Sequence, residues 1–133
     1  MKFGLAVPNF GKFANKNNIT KFATIAENLG FDSLWVSDHV VIPINHKGFG
    51  NEFYDPLVTL SFIAQITTKI SLGTSVIILP YRNPIVLAKM LSTLDQLSSG
   101  RLIIGLGIGW LVEEFNALGI SFSDKSETVS YTH

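Results

Sequence analysis

The sequence predicts an α/β fold built from the first four strand-then-helix units of a TIM (β/α)8 barrel. Apolar runs begin near Phe3, Ser33, Ile70 and Leu102, about one βαβ repeat apart, and each is followed by a helix-like pattern. Two of these runs, SLGTSVIIL and LIIGLGIG, are nearly continuous, as expected of parallel strands covered on both faces. The chain has 133 residues, whereas a closed barrel of eight units takes ~250. Periodicity alone leaves a doubly wound parallel sheet open as an alternative arrangement of the same units.

Each element has a local reason. The first strand, Phe3 to Val7, stops at Pro8 and Asn9. After a polar loop, Ile19, Phe22, Ala23, Ala26 and Leu29 form one apolar stripe, which predicts a helix from about Ile19 to Leu29 with Gly30 as its stop. The second strand, Ser33 to Val36, leads into Ser37, Asp38 and His39, and a long loop follows from Ile42 to Tyr54. Asp55-Pro56 opens the second helix, because Asp caps free N–H groups and Pro suits the first helical position. Asn83-Pro84 repeats the device for a third helix ending near Leu97. The third strand is read as Ile70 to about Leu79 and the fourth as Leu102 to about Ile108. A short helix, Leu111 to Leu118, ends at Gly119. Residues 1–122 are therefore read as one half-barrel, and 123–133 as a polar, aperiodic tail expected to be disordered.

Composition narrows the function classes. Ten basic and ten acidic side chains balance, so there is no electrostatic footprint for nucleic acid and no basic block for a membrane surface. Hydrophobic residues make up 47% and charged residues 15%, below the ~25% charged of ordinary soluble domains. A chain so short of polar cover is expected to bury a face against a partner. There is no cysteine, so disulfides and thiolate chemistry are excluded. The N-terminus does not read as a signal peptide, no apolar run reaches the ~18 residues of a membrane span, and the cytoplasm is the expected setting.

In either arrangement, ligands meet the carboxyl ends of the strands. Four places qualify: Pro8-Asn9, Ser37-Asp38-His39, Ser75 to Pro80, and Gly107 to Trp110. His39 is the best acid–base candidate, since imidazole titrates near neutrality, and Asp38 is the neighbouring carboxylate that would set its tautomer. The competing reading has Asp38 turning the chain and His39 packing beneath the loop. Gly105, Gly107 and Gly109 alternate, so they share one face and let backbone or a flat ring approach, or simply pack tightly against a helix. They lack the G-x-G-x-x-G spacing of a dinucleotide site. Thr74-Ser75 interrupts an apolar strand, as at a bulge facing a ligand, or as two hydroxyls bonded to neighbouring backbone. Glu113 and Glu114 suit the start of the last helix electrostatically. His46 in the long loop reads as solvent-facing, and no residue spacing suggests a metal site.

Taken together, the segments AENLGFDSLWVSDHVVIP, DPLVTLSFIAQITTKISLGTSVIILPYRNPIVLAK and TLDQLSSGRLIIGLGIGWLVEEFNALGISF resemble the N-terminal half of luciferase-like monooxygenases. Within that family they are most similar to the oxidoreductases dependent on the deazaflavin coenzyme F-420. The resemblance covers residues 1–122 and implies a TIM-barrel oxidoreductase or monooxygenase acting on a small organic substrate, with coenzyme F-420, or alternatively FMN, at the strand ends. By the same resemblance His39 is the catalytic residue. Asp38, His39, Thr74, Ser75, Val76, Gly107, Ile108, Gly109 and Trp110 hold the cofactor, with a cis peptide at Ser75-Val76. Asn9 and His46 are the candidates for substrate contact. The sugar-phosphate dehydrogenase branch has an acid where Trp110 stands, which counts against that reaction. Strands five to eight, which would cradle the cofactor's phosphate-bearing tail, are not in this sequence. The expected partner is a second copy or a second half-barrel, and the alternative reading is a truncated, non-catalytic half-barrel.

Overall fold

Three helices begin on side-chain caps that the sequence carries locally. Asn15 accepts the Asn18 N–H, Asp55 accepts those of Leu57 and Val58, and Asn83 accepts those of Ile85 and Val86. In the computed structural model, which describes residues 1–44, 46, 48–50 and 52–123, the helices are α1 (Lys16–Asn28), α2 (Pro56–Ile66), α3 (Pro84–Leu97) and α4 (Val112–Ala117). The first helix starts three residues before the expected Ile19 because Asn15 supports a polar first turn that apolar periodicity does not register. The tail expected to be disordered lies, from residue 124 onward, outside the described residues.

The strands are β1 (Gly4–Ala6), β2 (Ser33–Val36), β3 (Ser71–Thr74), β4 (Ile77–Ile78), β5 (Leu102–Ile103) and β6 (Leu106–Gly107). One parallel sheet runs β1-β2-β3-β5, and β4 pairs with β6 in a second parallel ladder. The third and fourth strands, expected as continuous runs, are thus each broken in two. At the break Thr74 Oγ1 donates to the Gly105 carbonyl at 2.9 Å and accepts the Gly105 N–H at 3.0 Å. Its hydroxyl takes the place of a ladder bond, and the Ser75-Val76 peptide that follows is cis.

Leu34, Val36, Leu72 and Ile77 turn one face of the strands toward Ile19, Ala23, Leu60, Ile63, Leu87 and Leu91 of the helices, and these form the core. The opposite face has small residues beneath one large one. A Cβ on Gly4 or Gly73 would come within 2.4 Å of the Trp35 indole, whose Nε1–H donates to Ser33 Oγ at 2.8 Å. The expectation that all strands are covered on both faces fails at β5 and β6. There Ile103, Ile104, Leu106 and Ile108 are each at least two-fifths exposed, with no further strand beside them among the described residues. No described helix is long and apolar enough to cross a membrane.

Candidate functional site

The carboxyl ends of the strands meet at a cavity of about 340 Å³ lined by Phe10, Ser37, Asp38, His39, Phe49, Ser75, Val76, Ile78 and the Gly107–Trp110 segment. A larger cavity of about 590 Å³ lies at the other end, among Lys2, Glu27, Asp32 and Lys69. Volume favours the second. Position favours the first, because parallel α/β sheets direct their functional groups to the carboxyl ends of the strands.

Asn9 builds the site from beneath. Its side-chain amide donates to the carbonyls of Ser37 (2.9 Å) and Tyr54 (3.1 Å), and its oxygen accepts the Ser37 N–H at 3.2 Å. The end of β1, the end of β2 and the end of the long loop are thereby fastened together. Asn9, expected as a substrate contact, has no exposed surface, and its amide is occupied in bracing these segments. The loop folds back so that Phe53 stacks on Phe10 with ring centroids 5.1 Å apart, and Phe49 meets Phe10 edge-on at 5.7 Å.

His39 stands beneath these rings. Phe49 and Phe53 each lie 5.2 Å from it and Trp110 lies 6.0 Å away. Its Nδ1 is 2.7 Å from Glu114 Oε2, and among the described residues Nε2 has no hydrogen-bond partner. Glu114 is wholly buried. Its Oε1 accepts the N–H groups of Val40 and Val41, and its Oε2 also accepts the Tyr81 hydroxyl at 2.9 Å. Burial raises the Glu114 carboxyl, but the bonds from His39, Val40, Val41 and Tyr81 outweigh it and hold the group below its ordinary range. Burial and the adjacent carboxylate both push the Tyr81 phenol up, so it stays protonated.

The neighbour expected to set the His39 tautomer, Asp38, does not do so. Its carboxylate accepts the Ile78 N–H at 2.9 Å and meets Arg82 Nη2 at 2.7 Å, and Arg82 also reaches Asp55 at 3.3 Å. Burial lifts the Asp38 carboxyl above its usual range, against the pull of the Ile78 N–H and Arg82. Asp38 therefore borders the cavity with its charge turned aside. Thr74, expected in the cofactor set, is fully buried with its hydroxyl bonded to the Gly105 backbone, so it shapes the break in the strand, and Ser75 and Val76 line the cavity. His46 is half-buried, between Phe49 (5.0 Å) and Trp110 (5.8 Å), and its Nδ1 is enclosed without a partner among the described residues. That corrects its reading as solvent-facing and leaves it at the rim of the site. Residue spacing had not flagged Tyr81, Arg82 or Glu114 as a group. The first two follow a strand end, which is a usable signal. The inward turn of Glu114 rather than Glu113 goes with its bonds to His39, Val40 and Val41 after β2, some 75 residues away in the chain.

The residues present fit one face of a flat ring. Val76 is 36% exposed at the cavity, and a Cβ on Gly107 would come 2.5 Å from its Cγ2. Gly109, at φ +74°, would meet Ile78 and Phe115. The shelf is flat because it is backed by glycine, and a side chain at Gly107 would close it. Arg82 meets both carboxylates through Nη2, while its Nε is enclosed without a partner among the described residues. No group of three or more His, Asp or Glu stands together as a metal site among the described residues.

A family model described as luciferase-like monooxygenase matches residues 1–130. The F-420-dependent glucose-6-phosphate dehydrogenase of Amycolatopsis mediterranei is 35% identical over 83% of this chain and 32% of its own length. Limonene 1,2-monooxygenase of Rhodococcus erythropolis is 37% identical over 74% of this chain and 24% of its own. Among solved structures, monooxygenase RslO1 from Streptomyces bottropensis superposes with a TM-score of 0.82 at 29% identity, covering 96% of this chain and 39% of that one. The chain thus spans well under half the length of each of these proteins. The fold is the parallel α/β architecture of those barrels over its first part, and the chain belongs to the luciferase-like monooxygenase family.

Proposed function

We propose that this chain provides the ring-binding and proton-handling half of an oxidoreductase that uses coenzyme F-420, with FMN as the alternative, on a small organic substrate in the cytoplasm. The observation that carries this reading is the single cavity shared by His39 and a glycine-backed shelf, Val76 with Gly107 to Trp110. Ser75, Val76 and Gly107 would hold the ring. When bound, a deazaflavin supplies hydride transfer, and a flavin also supplies reaction with oxygen. His39 would take or deliver a proton at Nε2, the ring atom left without a partner. Phe49, Phe53 and Trp110 surround that imidazole and keep water from it. Trp110 on the cavity wall favours an apolar substrate over a sugar phosphate.

The exposed Ile103, Ile104, Leu106 and Ile108 favour a companion reading. A second half-barrel, or a second copy of this chain, pairs along the open edge of β5 and β6. Without it the chain is a non-catalytic half. Titration with coenzyme F-420 and with FMN, followed by fluorescence together with particle size, tests both readings. Saturable binding that Gly107→Val abolishes is the expected result. Absence of saturation with either cofactor, or binding indifferent to that substitution, overturns the assignment of the shelf.

A further inference from the structure

We propose that Glu114 is a positioning residue that fixes neutral His39 as the Nδ1–H tautomer, leaving Nε2 as the proton-accepting atom on the cavity. The inference rests on the reading of His39 as the proton-handling group, and it follows from counting donors around one buried carboxylate. Backbone N–H groups only donate, so Oε1, which faces both Val40 N and Val41 N, must accept. Oε2 faces His39 Nδ1 at 2.7 Å and the Tyr81 hydroxyl at 2.9 Å. A carboxylate has no proton to offer either of them, so the imidazole carries its hydrogen on Nδ1 and the phenol turns its own toward Glu114.

The same count predicts what an isosteric change does. In Glu114→Gln the amide oxygen is forced to the Oε1 position, since placing the NH2 group there would set donor against two backbone donors. The NH2 group then occupies the Oε2 position and points at Nδ1 and at Tyr81. The phenol adapts by rotating its hydroxyl. The imidazole adapts only by accepting at Nδ1, which moves its hydrogen to Nε2. Glu114→Gln thus inverts the tautomer while keeping the shape of the site, and the atom facing the cavity changes from acceptor to donor. Asp38, the adjacent residue in sequence, has no such influence, because its carboxylate is bonded to Ile78 and Arg82.

The test is a long-range proton–nitrogen correlation spectrum of the full chain labelled at histidine, recorded without cofactor at a pH where the ring is neutral. His39 in the wild type is expected to show a pyrrole-like Nδ1 and a pyridine-like Nε2. The pattern is expected to reverse in Glu114→Gln and to persist in Tyr81→Phe, which removes only a donor to Oε2. A wild-type His39 protonated at Nε2 overturns the proposal, as does a folded Glu114→Gln variant with the wild-type pattern. Should Glu114→Gln fail to fold, the wild-type and Tyr81→Phe spectra still decide the tautomer. Cofactor titration separates this from the functional reading. The expected tautomer without binding of either cofactor removes the function alone, and binding with the opposite tautomer removes the role of Glu114 alone.

Discussion

Glu27 and Glu114 use the same device at opposite ends of the strands, and the contrast separates support from chemistry. At the amino ends, Glu27 Oε1 accepts the consecutive N–H groups of Thr68 (2.8 Å), Lys69 (2.6 Å) and Ile70 (3.0 Å), fixing the turn into β3. At the carboxyl ends, Glu114 accepts the consecutive N–H groups of Val40 and Val41, fixing the turn after β2. Both carboxyls lie below their ordinary range against the cost of burial, Glu27 through backbone N–H donors and Glu114 through His39 first, then the Val40 and Val41 N–H groups and Tyr81. The difference is at the second oxygen. In Glu27 it adds only a longer bond to Thr68 (3.2 Å), whereas in Glu114 it holds an imidazole and a phenol inside the protein. In such barrels the amino-end face serves stability and the carboxyl-end face serves function.

Substitutions sharpen or break that contrast. The largest expected effect is on turnover. In an assembly that turns over, His39→Ala is expected to cost ~10²–10⁴-fold in kcat, the usual worth of a positioned acid or base. Glu27→Gln is expected to leave kcat unchanged. Equal losses in steady-state assays of the two variants would erase the distinction between the ends.

Stability should differ next. Glu114→Ala strands two backbone donors and the Tyr81 hydroxyl in a site closed to water, a loss of about 3 kcal/mol or more. Glu27→Ala uncovers donors that water can reach and should cost about 1 kcal/mol, as for a lost helix cap. Urea unfolding curves measure both, and a larger loss for Glu27→Ala would contradict the assignment.

The acid limb of stability is a smaller effect. A carboxyl whose folded pKa lies below its unfolded value, near 4.5 for Glu, adds stability that is present above the unfolded value and lost as pH falls through the folded one. Asp38, raised by burial, works in the opposite sense. The variant therefore carries the test: unfolding free energy measured from pH 7 downward should fall less steeply in Glu27→Gln than in the wild type. An unchanged slope would remove Glu27 from this role. Last, Glu113→Gln, exposed beside Glu114, should shift stability by no more than about 0.5 kcal/mol in the same urea series.

What was legible in the sequence was local. Asp55-Pro56 and Asn83-Pro84 announce their helices because cap and first turn are neighbours in the chain. The period-two glycines placed a close approach at the fourth strand, although what Gly107 meets is Val76, in the break between β3 and β4, rather than a helix. Contacts between distant segments were not legible. The break after Thr74 depends on Gly105, 31 residues away, while the apolar run continues across it without a change of pattern. The carboxylate of His39 was expected at the preceding residue, Asp38, and lies 75 residues on, in a six-residue helix too short for periodicity to show which acid points inward.

The most direct measurement is a map of where the cofactor binds. Amide chemical shifts of the nitrogen-labelled chain, followed during titration with coenzyme F-420 or FMN, report both ends of the strands at once. Shifts concentrated at Ser37–His39, Ser75–Ile78 and Gly107–Trp110 are the predicted result. Shifts confined to the larger cavity around Lys2, Glu27 and Lys69, or none at saturating cofactor, would contradict the account.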